Sequence, residues 1–120
     1  MKNLLIVEDS LMDLNTFIPF FLKKGFNVLI TRSGTEALKI IDNNQPDIIL
    51  LDIILPDISG FEICQQLKAK AKTQKIPIVI CSIRKSELEQ FWGLKLGANA
   101  YLTKPVVKDK LVSTIERLVT

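Results

Sequence analysis

The chain has 120 residues, 48% of them hydrophobic and 24% charged, a size and composition typical of one globular domain with one core. Lysine and arginine outnumber aspartate and glutamate by 16 to 13, but the basic residues are scattered, which argues against a direct nucleic-acid interface. Cys64 and Cys81 lack a paired spacing, histidine is absent and no apolar run could span a bilayer, so we expect one cytoplasmic domain over residues 1–120, without zinc, redox chemistry or membrane insertion.

Five short apolar runs, each bounded by polar or turn residues, predict five β-strands. In chain order they are Leu4 to Val7, Val28 to Thr31, Ile48 to Leu51, Ile78 to Cys81 and Ala100 to Leu102. The stretches that follow them have the apolar spacing of helices. Four of these stretches begin with a serine followed three residues later by an acid, a pattern that caps a helix start. The pairs are Ser10/Asp13, Ser33/Glu36, Ser59/Glu62 and Ser86/Glu89.

Alternating strands and helices with short loops indicate parallel strands joined by right-handed crossovers. Nearly continuous apolar strands suit a sheet that helices cover on both faces. The predicted fold is therefore α/β, a doubly wound (βα)₅ five-stranded parallel sheet, with the last helix ending at Thr120.

The first helix contains one local conflict. Pro19 lies in its middle, where proline removes a hydrogen bond and can cost roughly 3 kcal/mol. We expect a kink or a break near Asn15 to Pro19.

Polar residues follow four of the five predicted strands. They are Glu8 and Asp9 after the first, Asp52 and, further along its loop, Asp57 after the third, Ser82 after the fourth, and Lys104 after the fifth. In an open parallel sheet the ligand crevice lies at the carboxyl ends of the strands, so three carboxylates (Glu8, Asp9 and Asp52), one hydroxyl and one amine should converge there. Crowded carboxylates without His or Cys favour Mg²⁺ or a similar ion. Such a site suits phosphoryl transfer with Asp52 as the nucleophile, although each residue taken alone is explained equally well as a helix cap or a surface group.

Four sequence segments together resemble the receiver domain of two-component response regulators. They are VED at 7–9, LLDIILPDISG at 50–60, IPIVICS at 76–82 and GANAYLTKP at 97–105. The resemblance covers essentially the whole chain and implies the flavodoxin-like receiver fold. It also implies a role for individual residues: Asp52 as phosphoacceptor, Glu8, Asp9, Asp52 and the backbone carbonyl of Ile54 as ligands of Mg²⁺ or Mn²⁺, Ser82 and Tyr101 as switch residues, Lys104 as the partner of the phosphoryl group, and Pro105 after a cis peptide bond.

The resemblance implies a phosphoryl donor, either a sensor histidine kinase or a phosphotransfer protein, and a downstream protein target. The surface of helix four, strand five and helix five would carry the signal, and the protein would be a monomer or a phosphorylation-dependent dimer. Such a domain catalyses its own phosphorylation and dephosphorylation but is not an enzyme in the usual sense. Ile54 and Arg84 occupy the positions that flank the acyl phosphate. Because an apolar Ile54 cannot position attacking water, we expect a long-lived phosphorylated state.

Two other functions compete with this interpretation. One is a receiver-like interaction module that does not depend on phosphorylation, or a fragment of a longer regulator. The other is an aspartyl-phosphate phosphatase or a flavodoxin-like electron carrier, which is disfavoured because no acid lies two residues after Asp52 and no phosphate loop follows the first strand. For Phe91 and Trp92 of the fourth helix, we expect one ring to pack inward and the other to be exposed.

Overall fold

Five strands alternate with five helices in the computed structural model, which describes residues 1–119, so the predicted helix end at Thr120 lies outside the described residues. The strands are β1 Asn3–Val7, β2 Asn27–Thr31, β3 Ile48–Leu51, β4 Ile78–Ser82 and β5 Ala100–Thr103. The helices are α1 Leu11–Lys23, α2 Gly34–Asn43, α3 Gly60–Ala69, α4 Glu87–Lys95 and α5 Lys108–Val119. The predicted strands are confirmed, and none of these helices is long and apolar enough to cross a bilayer.

The strands form one parallel sheet in the order β2-β1-β3-β4-β5. The chain leaves β1 toward β2 on one side and returns to β3 on the other, so the strand order reverses between β1 and β3. The ends of these two strands are in register, with Val7 beside Leu51. The next residues, Glu8 and Asp52, therefore begin their loops side by side at the place where doubly wound sheets bind ligands.

Helices cover both faces of the sheet, which confirms the predicted doubly wound fold. Leu4 and Ile6 of β1 point to the face covered by α1 and α5, whereas Leu5 and Val7 point to the face covered by α2 and α3. All residues of β3 and β4 are buried. This explains why these central strands are apolar throughout rather than alternating.

The predicted serine caps start four helices. In α1, α2, α3 and α4 the serine side chain accepts a hydrogen bond from a backbone N–H of the first turn. Each cap satisfies a donor that has no partner within the helix. Four of the five loops on the carboxyl side of the sheet therefore lead into helices with defined starts.

Of the kink or break predicted near Asn15 to Pro19, the break is wrong, because helix α1 is continuous through Pro19, and the kink stays a prediction. Both residues are exposed, and water can therefore bond the carbonyl that proline leaves without a donor. Phe17 and Phe21 on the opposite side are buried in the core. Their burial holds the helix to the sheet on both sides of the proline.

Helix α4 exposes both of its aromatic side chains, so the expectation that one packs inward is wrong. Phe91 is 57% exposed and Trp92 48% exposed, and their rings meet edge to face. The buried position of α4 is Gly93, where an added Cβ would lie 2.8 Å from the Tyr101 ring and 3.0 Å from Ile80. Helix and sheet approach too closely for a larger side chain there, and the bulky residues face outward.

Replacing Pro19 with alanine should stabilise the protein, because it restores a backbone donor inside a helix that is already continuous. We expect the free energy of unfolding, measured by urea denaturation, to rise by about 1 to 3 kcal/mol. Asn15→Ala is the control, since it improves helix propensity by at most about 0.7 kcal/mol and leaves the proline in place. Equal effects of the two substitutions would contradict this account of Pro19.

Candidate functional site

The ammonium group of Lys104 is the centre of a buried ion cluster. Its Nζ donates hydrogen bonds to Glu8 Oε1 at 2.7 Å, Asp13 Oδ2 at 2.8 Å and Asp52 Oδ2 at 2.9 Å. The side chains of Lys104, Glu8 and Asp52 are at most 9% exposed, whereas Asp13 is 33% exposed. Buried charges are tolerated only when they are paired and hydrogen-bonded. Lys104 is therefore the counter-ion that allows these carboxylates to lie together.

Sheet pairing and close backbone contacts place these residues. The Asp52 N–H donates to the Val7 carbonyl at 3.0 Å, and the Lys104 N–H donates to the Ser82 carbonyl at 2.9 Å. At Gly60, which starts α3, an added Cβ would collide with the backbone carbonyl of Asp52. The peptide bond between Lys104 and Pro105 is cis, as the family resemblance implies.

The cluster favours an ionised Asp52. Burial works to raise the pKa of this carboxyl, but hydrogen bonds and charge from Lys104, with smaller contributions from Ser82 and the Ile54 N–H, bring it below the usual value. Burial also works to lower the pKa of Lys104, but the hydrogen bonds that Lys104 donates to Asp13, Glu8 and Asp52 outweigh burial and raise that pKa. At neutral pH the site therefore holds an anionic oxygen beside a cationic nitrogen.

Glu8 responds in the opposite direction from Asp52. Burial, with the charge of Asp52 as a further cause, raises the pKa of Glu8 from 4.5 to about 7, although its hydrogen bond to Lys104 opposes the shift. One ammonium shared among three carboxylates cannot offset the desolvation of all of them. Glu8 thus takes up a proton more readily than Asp52.

Asp9 is adjacent to Glu8 but pairs with Arg32 instead of joining the cluster. One of its oxygens, Oδ1, lies 3.3 Å from Arg32, and the same guanidinium donates to the Asp9 backbone carbonyl at 2.9 Å. The Asp9 side chain is 46% exposed. Of the three acids expected to converge, the structure brings Glu8 and Asp52 together and leaves Asp9 at the rim.

An open cleft of about 320 Å³ lies over the ion cluster. Its lining residues are Glu8, Asp9, Ser10, Asp13, Asp52, Ile54, Ile83 and Lys104. The Ile54 N–H donates to Asp52 Oδ1 at 3.2 Å, and the Ile54 side chain is 43% exposed. Apolar Ile54 and Ile83 therefore border the space in front of the Asp52 carboxylate.

Ser82 and Tyr101 are connected through the backbone of Arg84. Ser82 is fully buried, and its hydroxyl accepts a hydrogen bond from the Arg84 N–H at 3.2 Å. The Arg84 carbonyl accepts a hydrogen bond from the Tyr101 hydroxyl. The Tyr101 ring lies over Gly93 of α4. Contacts thus run from the side chain beside Asp52 to the helix with exposed aromatic rings.

Two other acids differ in their relation to the site. The sequence identified Asp13 only as a helix-capping acid, yet its carboxylate reaches Lys104. The available signal was its position in the first turn of a helix that starts directly after β1. Asp57 lies outside the cluster, where its carboxylate accepts hydrogen bonds from the N–H groups of Gly34 and Thr35, both at 2.8 Å, and caps α2.

The chemistry of the donor set fits a hard divalent cation. The carboxylates of Glu8, Asp9 and Asp52 and the backbone carbonyl of Ile54 would supply oxygen ligands, which Mg²⁺ and Mn²⁺ prefer. As they stand, no three acid, Cys or His side chains among residues 1–119 are arranged to hold a metal ion. Lys104 lies between two of the acids, and Arg32 pairs with the third. A bound cation would therefore share these acids with Lys104 and Arg32.

A family model described as the response regulator receiver domain matches residues 4–116. The chain belongs to this family. Receiver domains are the phosphoacceptors of two-component signalling, generally bind Mg²⁺ or Mn²⁺, and interact with histidine kinases and downstream targets. The family prediction made from the four sequence segments is thereby confirmed.

Individual relatives agree with this receiver assignment. The chain is 35% identical to protein PilH of Pseudomonas aeruginosa, with 96% of this chain and 95% of that protein aligned. It is 40% identical to histidine kinase P4 of Formosa agariphila over 87% of this chain, but spans only 8% of that protein. A response regulator structure from Chloroflexus aurantiacus has a TM-score of 0.94 and 30% identity, covering 98% and 97% of the chains. The Mn²⁺-bound form of response regulator Rcp1 has a TM-score of 0.84 and 30% identity, covering 97% and 92%.

The raised pKa of Glu8 predicts how the metal-free receiver responds to pH. Because the folded protein binds this proton more tightly than the unfolded chain, the resulting stabilisation is fully present below pH 4.5 and is lost as pH rises to about 7. The lowered pKa of Asp52 acts only around and below its ordinary value of 3.8. In urea denaturation with a chelator, the free energy of unfolding should fall between about pH 5 and pH 7.

Glu8→Gln should remove most of this pH dependence, and Glu36→Gln, an exposed acid of α2, should retain it. If the three proteins had the same slope of unfolding free energy against pH, the assignment of this titration to Glu8 would be wrong.

Proposed function

We propose that this receiver accepts a phosphoryl group on Asp52 from the phosphohistidine of a sensor kinase or a phosphotransfer protein, in a reaction that depends on Mg²⁺ or Mn²⁺. The observation that carries the proposal is the ionised Asp52 carboxylate at an open cleft, beside the buried ammonium of Lys104 and near the hydroxyl of Ser82. The Mn²⁺-bound structure of the similar Rcp1 supports the choice of cation.

In the transfer step, a carboxylate oxygen of Asp52 attacks phosphorus while the bond from phosphorus to the donor imidazole nitrogen breaks. The bonding electron pair leaves with that nitrogen, and the product on this chain is an acyl phosphate. Lowering the pKa of Asp52 keeps the nucleophilic oxygen free of a proton. Lys104 and Ser82 are placed to donate hydrogen bonds to the phosphoryl oxygens. When bound, the divalent cation neutralises those oxygens and orients them.

The output of this reaction is a change in binding rather than catalytic turnover. New phosphoryl oxygens compete for the Ser82 hydroxyl, which now accepts a hydrogen bond from Arg84. A shift of the Arg84 backbone changes the hydrogen bond that its carbonyl accepts from the Tyr101 hydroxyl. It also changes the position of the Tyr101 ring against Gly93. The affected surface consists of α4, β5 and α5, where Trp92 is half exposed.

A phosphorylation-independent interaction module is the second candidate, because the exposed apolar residues of α4 could bind a protein whatever the state of Asp52. Its apolar side chains Leu88, Phe91, Trp92 and Leu94 are all at least 48% exposed. Patches of this kind on a surface helix commonly mark protein contacts.

Three further expectations stay predictions: the cytoplasmic location, the extent of the domain over residues 1–120, and whether the protein is a monomer or a phosphorylation-dependent dimer.

The phosphorylation chemistry is tested by incubating the protein with Mg²⁺ and acetyl phosphate. We expect wild type to gain one phosphoryl group by intact mass and to change its Trp92 fluorescence. Asp52→Asn should show neither change, because it lacks the nucleophilic oxygen. Asp42→Asn, an exposed carboxylate of α2, is the matched control and should behave as wild type.

A folded wild-type protein that gains no phosphoryl group from acetyl phosphate or from a phosphorylated donor would favour the interaction module. A gain that persists in Asp52→Asn would place the phosphoacceptor elsewhere.

Ile54 should slow the loss of the phosphoryl group, since its apolar side chain borders the cleft and cannot position water. We expect the acyl phosphate of Ile54→Asn to hydrolyse about tenfold faster, well within what a positioned polar group contributes. The measurement is the decay of the phosphorylated mass after the donor is removed. Ile54→Ala is the control, because it opens the cleft without adding an amide. Equally fast decay of the two variants would attribute the effect to access of water to the acyl phosphate alone. Decay at the wild-type rate in both variants would contradict the role given to Ile54.

A further inference from the structure

Asp13 is the one carboxylate at Lys104 to which the proposed function gives no task. Glu8 and Asp52 are expected to bind the cation, and Asp52 also accepts the phosphoryl group. Asp13 Oδ2 lies 2.8 Å from Lys104 Nζ, between the 2.7 Å of Glu8 and the 2.9 Å of Asp52. It is also the most exposed of the three, at the rim of the cleft. Asp13 therefore contacts Lys104 as directly as Glu8 and Asp52 do, but from the rim of the cleft.

The divalent cation and the Lys104 ammonium would share two carboxylates, those of Glu8 and Asp52. Lys104 now donates to one oxygen of each of these carboxylates, and a cation bound to the same two groups would repel the ammonium. The Lys104 side chain is only 9% exposed. An ammonium that lost all its partners there would carry a large desolvation penalty. Loading of the cation is therefore favourable only if Lys104 keeps a carboxylate.

We propose that Asp13 is a positioning residue that holds the Lys104 ammonium while the cation takes over Glu8 and Asp52. This inference rests on the proposed function. The start of α1 holds the Asp13 backbone, whose N–H donates to the Ser10 hydroxyl at 3.2 Å, and the carboxylate already contacts Lys104. Held in this way, Lys104 stays beside Asp52 and can donate to an incoming phosphoryl oxygen.

Cation affinity is the first readout, measured by calorimetric titration of the full chain with Mg²⁺. Asp13→Asn should weaken Mg²⁺ binding about tenfold, the effect of losing one charge-assisted hydrogen bond. Glu36→Gln is the matched control, because Glu36 occupies the same position after its serine cap in α2 but is exposed. Its Mg²⁺ affinity should stay within about twofold of wild type.

Loss of negative charge alone could also weaken cation binding, so the effect must be shown to act through Lys104. In a Lys104→Met background, Asp13→Asn should weaken Mg²⁺ binding by no more than about threefold, since only long-range attraction remains. A tenfold loss in both backgrounds would overturn the positioning role. Asp13→Glu keeps the charge and should restore most of the affinity.

Hydrogen exchange of the Lys104 ammonium, followed by ¹⁵N NMR, gives a second readout that needs no further variant. Without Mg²⁺ the ammonium protons should exchange slowly in both wild type and Asp13→Asn, because Glu8 and Asp52 still accept them. With Mg²⁺ saturating, slow exchange should persist in wild type and be lost in Asp13→Asn. Equal exchange rates in the two loaded proteins would overturn the inference and leave the proposed function intact. If wild type bound neither Mg²⁺ nor Mn²⁺, the proposed function and this inference would fail together.

Discussion

One buried ammonium group holds the carboxyl edge of the sheet together. Lys104 bonds carboxylates that follow β1, begin α1 and follow β3, and it lies 96 residues from Glu8 in the chain. Removing one member of such a buried cluster typically costs about 3 to 5 kcal/mol, because the remaining charges are left unpaired. The start, middle and end of the sequence are therefore tied at one point. The same point is where the strand order reverses and a ligand crevice forms.

The side of α4 that faces the sheet connects this carboxyl edge to the outer surface of the protein. Tyr101 has a place for its ring only because Gly93 carries no side chain, and its hydroxyl is held by the backbone of Arg84. Arg84 in turn donates to Ser82, whose hydroxyl lies by Asp52. These are the contacts through which the proposed switch would act. Together the contacts form one continuous route from Asp52 to α4.

The fold was predictable because its signals are local. Apolar runs and serine caps mark the elements, and strand ends locate the cleft without knowledge of any distant contact. The features that could not be predicted depend on tertiary contacts. Helix α1 stays continuous at Pro19 because Phe17 and Phe21 are buried against the sheet. Trp92 faces outward because α4 lies so close to the sheet at Gly93 that no larger side chain fits between them.

The directions of the side chains at the site could not be predicted from the sequence either. A serine cap fixes the backbone N–H of Asp13 but not the direction of its carboxylate. Asp9 reaches Arg32 because parallel pairing of β1 and β2 sets Val7 beside Thr31. At full ionisation the edge carries four carboxylates, namely Glu8, Asp9, Asp13 and Asp52, against the cations of Lys104 and Arg32. The excess of two negative charges equals the charge of one divalent cation, and without that cation a proton on Glu8 offsets part of it.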